Sequence, residues 1–173
     1  MAAAPLEAIA PSGTDDTAAA MAQVLAVVVP DLQQVCRDVW IVVGSAAAWL
    51  AGVRVIVADL DVLTSIRDAE ALAVHWRERR DDVHVPADGE RFRSRFARFR
   101  FPVLPVEVMG DLECFGERGW EPVRIGEIVM AKLGGFAVPI PAVEEQIRVL
   151  EIFGRPKDRQ RAAQLKLLSG NAE

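Results

Sequence analysis

Apolar and polar residues alternate along the chain in blocks whose period changes, and the blocks predict an α/β order. Residues 1–14 are rich in Ala and Pro, carry no periodic pattern and are expected to be mobile. Thr14-Asp15-Asp16-Thr17 reads as a helix start, and the apolar residues from Met21 to Val29 continue that helix until Pro30 is expected to stop it. Val39-Trp40-Ile41-Val42-Val43 is a continuous run dominated by β-branched residues, as in a strand covered on both faces. Gly44-Ser45 ends the run, Ala46 to Ala51 is strongly helix-forming, and Gly52 closes it. A second buried strand is expected from Val55 to Leu63 and an amphipathic helix from Asp68 to Arg80.

Beyond residue 90 the pattern shifts to period two. Arg91 to Phe101 alternates Arg with Phe or Ser, and Val103 to Met109 follows Pro102, which together predict a hairpin or two adjacent strands. The alternation slips near Phe96-Ala97, the mark of a bulge. Val123 to Lys132 and Phe136 to Ile140, split by Gly134-Gly135, predict a second hairpin. Pro141 is expected in the first turn of a helix running to Phe153, with Glu144 and Glu145 near its start; a last helix spans Lys157 to Leu168. With no repeat and no interior linker, residues 15–173 are expected to form one α/β (α+β) domain around a mixed central sheet flanked by helices.

Composition changes this picture little. Half of the 173 residues are hydrophobic and 26% are charged, a globular balance. No uninterrupted apolar run reaches the roughly 18 residues of a membrane span, and no Lys or Arg precedes Arg37, so neither a membrane nor a targeting peptide is expected and a cytoplasmic location is. Cys36 and Cys114 make no metal spacing and are expected to be reduced. The net charge of −5 comes almost wholly from the acidic, base-free first 36 residues. Five arginines between Arg91 and Arg100 have no acid among them: either a solvated strand face or a lip for an anionic acceptor.

The chemistry gathers at two short motifs. In Asp59-Leu60-Asp61 the acids sit at i and i+2, so on a strand both project from one face about 7 Å apart along it and can share a divalent cation such as Mg²⁺. The plainer alternative is a pair of solvated or Arg-paired acids. Gly44-Ser45 falls where a strand gives way to a helix, a place where free backbone N–H groups meet an anion. Its plainer alternative is a capped turn. His75 and His84 have no nucleophile partner and read as surface residues, and the four Trp default to core.

The order strand, Gly44-Ser45, helix, then a strand bearing Asp59-Leu60-Asp61-Val62 resembles the minimal nucleotidyltransferase superfamily, whose members have the DNA polymerase β-like fold. Leu50-Ala51-Gly52-Val53-Arg54 and Ala58 to Leu63 are similar to its small bacterial branch of AbiEii-like toxins and antibiotic nucleotidyltransferases. The resemblance implies that Asp59 and Asp61 hold two Mg²⁺ ions, that Gly44-Ser45 holds the triphosphate of an NTP, and that a third acid completes the metal site. Glu107, in Val106-Glu107-Val108, matches that third position with Glu for the usual Asp, and Asp111 is placed beyond the strand's end. Gly154-Arg155-Pro156-Lys157-Asp158 resembles the family's closing segment, where a Lys meets the phosphates; Leu150 takes that place here, which leaves Arg148 and Lys157 as the nearest bases, and Arg161 stands where an Asp is common. The implied activity is transfer of a nucleoside monophosphate to a hydroxyl on tRNA, protein or a small molecule. A degenerate member acting as a binding protein or toxin–antitoxin-type partner is the alternative. Asp59 to Thr64 also looks like the first motif of haloacid-dehalogenase-type phosphatases, but no later Lys and acidic pair follow at suitable places, and the chain is short for a glycosyltransferase using a metal-binding Asp-x-Asp.

Overall fold

A computed structural model describes residues 15–170, so the N-terminal segment 1–14 lies outside the described residues. The first helix, α1 (Asp15–Val35), buries Met21, Val24, Leu25, Val28, Val29 and Leu32 at 2% exposure or less, a stripe spaced by threes and fours. Pro30 does not end it. The ring lies on the exposed side, where water can take the carbonyl that Pro cannot serve, and Leu32 beyond it still packs into the core. By length and mean hydropathy residues 16–35 would suffice to cross a membrane, but the apolar stripe is spent on the protein's own core.

The main sheet is mixed. Strands β1 (Ile41–Val43), β2 (Leu60–Thr64), β3 (Phe92–Phe99) and β4 (Val106–Gly116) are ordered β1-β2-β4-β3. β1 and β3 run antiparallel to their neighbours, while β2 and β4 are parallel. A parallel pair needs a crossover, and here helix α3 (Ile66–His75) and β3 supply it. Strand β5 (Gly119–Pro122) folds back on the far end of β4, and β6 (Ile128–Leu133) with β7 (Phe136–Pro141) makes a separate hairpin. Helices α2 (Gly44–Leu50), α4 (Val143–Phe153) and α5 (Pro156–Gly170) complete the mixed α/β architecture expected from the sequence. Val42, Leu60, Val62, Phe99, Val106 and Val108 put the sheet's apolar face against α1 and α3 at zero exposure.

Several boundaries differ from expectation for physical reasons. β2 starts at Leu60, not Val55: the apolar segment before it finds no partner strand, and Ile56 is 89% exposed. Helix α3 stops at His75 because Trp76 turns inward, donating to Asp31 at 2.7 Å and meeting Phe99 and Phe101 edge-on. β4 continues to Gly116, so Asp111 lies within the strand, exposed and at φ +49°. The register shift falls there, between Arg93 and Arg95 on β3, rather than at Phe96-Ala97. Pro141 ends β7 instead of opening α4, and β5 has no counterpart among the expected strands. Val39, expected inside a covered strand, is 65% exposed.

Candidate active site

Strand register assembles the site. Asp61 pairs with Glu107 across β2 and β4, and Glu107 pairs with Arg98 across β4 and β3. Paired residues on adjacent strands lie about 5 Å apart and share a face, so a single row across the sheet carries Asp61, Glu107 and Arg98. Asp59 precedes β2 by one residue, yet its carboxylate joins the others: one ligand oxygen from each of Asp59, Asp61 and Glu107 lies within 4.8 Å of the rest.

The three acids are not equivalent. Arg98 Nη1 donates to Glu107 Oε1 and, at 3.5 Å, to Asp59 Oδ2, while Nε lies 3.9 Å from Asp81 Oδ2. His84 Nε2 lies 3.4 Å from Glu107 Oε1. Asp61 has no comparable neighbour. Its Oδ1 is buried without a hydrogen-bond partner, alone in this among the buried side-chain polar atoms of the described residues. Burial, then the charges of Asp59 and Glu107, push its carboxyl well above the usual Asp range. Asp59 is raised as well, by burial and then by Glu107, against the pull of Arg98.

Gly44 is the condition for this arrangement. It sits at φ +67° at the head of α2, where a side chain is strained, and a Cβ there would collide with Asp61 Oδ2. Ser45 beside it is buried. The same cavity, of about 710 Å³, is also lined by the bases Arg155, Lys157 and Arg161 of the α5 region. Arg155 is fixed by a two-pronged pair with Asp158, at 2.6 and 3.0 Å, and by Asp88 at 2.7 Å. Lys157 and Arg161 exert their charge on Asp59 and Asp61 respectively. Phe92, Phe96, Met109, Leu112 and Phe153 give the cavity apolar walls.

Of the residues expected from sequence, Gly44, Ser45, Asp59, Asp61, Glu107 and Lys157 meet in this cavity, and Arg148 does not. Arg148 pairs with Glu145 at 2.9 Å, donates to the carbonyl of Arg124 at 2.6 Å, and lines a second cavity. Arg98, from the run read as either a solvated strand face or a lip for an anionic acceptor, and His84, read as surface and exposed in the structure, also line this cavity, as does Arg161. A partial signal for Arg98 existed: Arg alternates on a strand next to the one bearing Glu107, which offers that acid an arginine without fixing the register that delivers it.

The donor set fits a hard divalent cation: three carboxylates, one with a buried oxygen to which no N–H or hydroxyl donates. No known family model matches the chain, and no curated protein matches it. Among solved structures it is similar to a candidate nucleotidyltransferase from Thermotoga maritima, at 23% identity and a TM-score of 0.64 over 86% of this chain and 94% of that one. An antigenic nucleotidyltransferase-like protein from Paracoccidioides brasiliensis is also similar, at 14% identity and a TM-score of 0.52 over 87% and 77% of the two chains. These likenesses establish the fold, which is nucleotidyltransferase-like.

Proposed function

We propose that the chain is a metal-dependent nucleotidyltransferase that moves a nucleoside monophosphate from an NTP to a hydroxyl acceptor, in the small bacterial branch suggested by Leu50 to Leu63. The observation that carries this reading is the orphaned Oδ1 of Asp61, whose carboxylate clusters with those of Asp59 and Glu107 in the cavity that Lys157 and Arg161 also line. A buried carboxylate oxygen without a donor is costly, and a divalent cation is the ligand that removes the cost at this donor set. When bound, the cation supplies Mg²⁺-type chemistry: it neutralises phosphate charge and favours deprotonation of the acceptor.

The chain's own residues position the reactants. Gly44 keeps space open beside Asp61, and Ser45 adds a hydroxyl at the same turn. Lys157 and Arg161 place positive charge for the triphosphate in the same cavity as the acids. In the transfer, the acceptor oxygen bonds to the α-phosphorus as the bond to the β-phosphate bridging oxygen breaks. Pyrophosphate leaves, and Glu107 takes the acceptor's proton.

A second reading, a nucleotidyltransferase-fold protein that binds a partner without turnover, is favoured by one feature: Arg98 already engages the third acid. Labelled NTPs offered with Mg²⁺ to tRNA, to protein hydroxyls and to small hydroxyl compounds separate the two. Label on one acceptor class, with pyrophosphate released and both lost in EDTA, is the expected result. Nucleotide bound in the cavity with no label on any class would favour the binding protein.

A further inference from the structure

We infer that this site holds one divalent cation, at Asp59 and Asp61, and that the Arg98 guanidinium fills the place of a second. The inference rests on the metal-dependent reading above and sharpens it. The resemblance to nucleotidyltransferases implies two ions bound through three acids, but of the acids here Asp61 lacks a cationic partner, Glu107 has one in Arg98, and Asp59 lies between them, at the outer reach of the same guanidinium. Asp61 Oδ1 is sealed and unpartnered. Glu107 Oε1 has Arg98 Nη1 against it and His84 Nε2 at 3.4 Å. The same Nη1 reaches Asp59 Oδ2 at 3.5 Å, so the guanidinium spans the third acid and one of the first two.

Arg98 is held in that place. It pairs in register with Glu107 across the sheet, so its backbone cannot carry it away without breaking the β3–β4 ladder. Its side chain is only 19% exposed, and Asp81 lies against its far edge at 3.9 Å. Asp81 in turn accepts from Arg100 at 3.2 Å and from the backbone of Val83 at 3.3 Å, beside His84. An arginine in such a place differs from a lysine. Its charge cannot be discharged by losing a proton, and its planar fork matches carboxylate geometry. A second cation would have to displace the whole side chain while giving up its own water, which Mg²⁺ does reluctantly. The chemical consequence is a fixed organic cation at the third acid and an exchangeable metal at the first two.

The number of bound ions tests this directly. Mn²⁺ alone, titrated into the full chain and followed by electron paramagnetic resonance and calorimetry, is expected to bind at one ion per chain in the wild type. Arg98→Gln is expected to bind two. Glu107→Gln, which keeps the length of the side chain, is expected still to bind a single ion, with affinity lowered only by the charge lost beside Arg98, because the ion's ligands are Asp59 and Asp61. Circular dichroism melts establish that each variant is folded, and the Glu107→Gln result stands whether or not Arg98→Gln folds. Two Mn²⁺ ions in the wild type, one in folded Arg98→Gln, or none in folded Glu107→Gln would overturn the inference while leaving metal dependence intact. No Mn²⁺ in the wild type would overturn both it and the proposed function.

Discussion

Two cavities of nearly equal volume among the described residues, about 710 Å³ beside Asp61 and about 720 Å³ beside Arg148, differ in how their charges are met. In the second, the charges are matched within the protein. Glu145 accepts from Arg148 at 2.9 Å and from the Gly126 N–H at 2.7 Å, and these bonds, that of Arg148 first, hold its carboxyl down at about 2. In the first, Asp61 is pushed in the opposite direction, with one oxygen facing no donor. Both cavities combine an acid, bases and apolar walls, so size and composition do not tell them apart. An unmet electrostatic demand does, because a protein retains such a cost where a ligand relieves it.

The largest break in that comparison is expected from Asp61→Asn. It removes the unmet demand, since an amide N–H can donate to the neighbouring carboxylates. Nucleotide transfer should fall by ~100-fold or more, the scale of losing a group at the reacting centre. Metal-free stability should move the other way, rising by ~1–3 kcal/mol at neutral pH. The sign follows from the raised Asp61 carboxyl: its native state favours the proton, so stability is full below the ordinary Asp value of about 3.9 and is lost as pH rises through the raised value. In EDTA, the melting-temperature advantage of Asp61→Asn should therefore be small near pH 4 and grow toward pH 8. A variant no more stable than wild type at pH 8 would mean that the carboxylate is satisfied in solution.

Gly44→Ala sharpens the same contrast from the backbone side. Its Cβ would meet Asp61 Oδ2, and φ +67° strains any L residue, together a loss of about 1–3 kcal/mol in stability. Because the clash moves the carboxylate itself, Mn²⁺ affinity should drop ~10-fold in the folded variant. Thermal melts and calorimetry on one preparation check both parts, and unchanged Mn²⁺ affinity would place the ion away from Asp61.

How far the chain could be read depended on whether the determining contact was local. Gly44, Asp59 and Asp61 were legible because a glycine at a strand–helix junction and two acids at i and i+2 carry their geometry within a few residues. Glu107 was legible as a charge inside an apolar strand. Arg98 was not, because alternation tells which face a residue takes but not which residue lies opposite. That depends on the 100–105 connection and on a register shift that was expected at Phe96-Ala97 and lies between Arg93 and Arg95. His84 sits in the aperiodic segment between Asp81 and Arg91 and reaches Glu107 only through tertiary packing. The boundaries failed for the same reason. Val55 to Ala58 has a strand's composition and no partner strand, whereas Pro30 is tolerated because its missing donor faces water.

The smallest effect is expected where the resemblance to known nucleotidyltransferases pointed to a phosphate contact, at Arg148. Its guanidinium is already used by Glu145 and by the carbonyl of Arg124, and it faces the cavity without the acids. Arg148→Ala should leave Mn²⁺ and NTP binding unchanged and cost no more than ~1 kcal/mol, as for a partly exposed pair three residues apart on one helix. The pH dependence identifies the source of that small loss. A depressed carboxyl contributes stability that is present above its ordinary value of about 4.3 and is lost as pH falls toward its native value of about 2. The gap between wild type and Arg148→Ala should therefore be open near pH 6 and close on acidification through this range, the reverse of the trend for Asp61→Asn. The Gly126 N–H still holds Glu145 in the variant, so the gap reports the arginine alone. If NTP affinity instead fell ~10-fold in Arg148→Ala, the second cavity would hold part of the nucleotide, and the division between a working cavity and a satisfied one would fail.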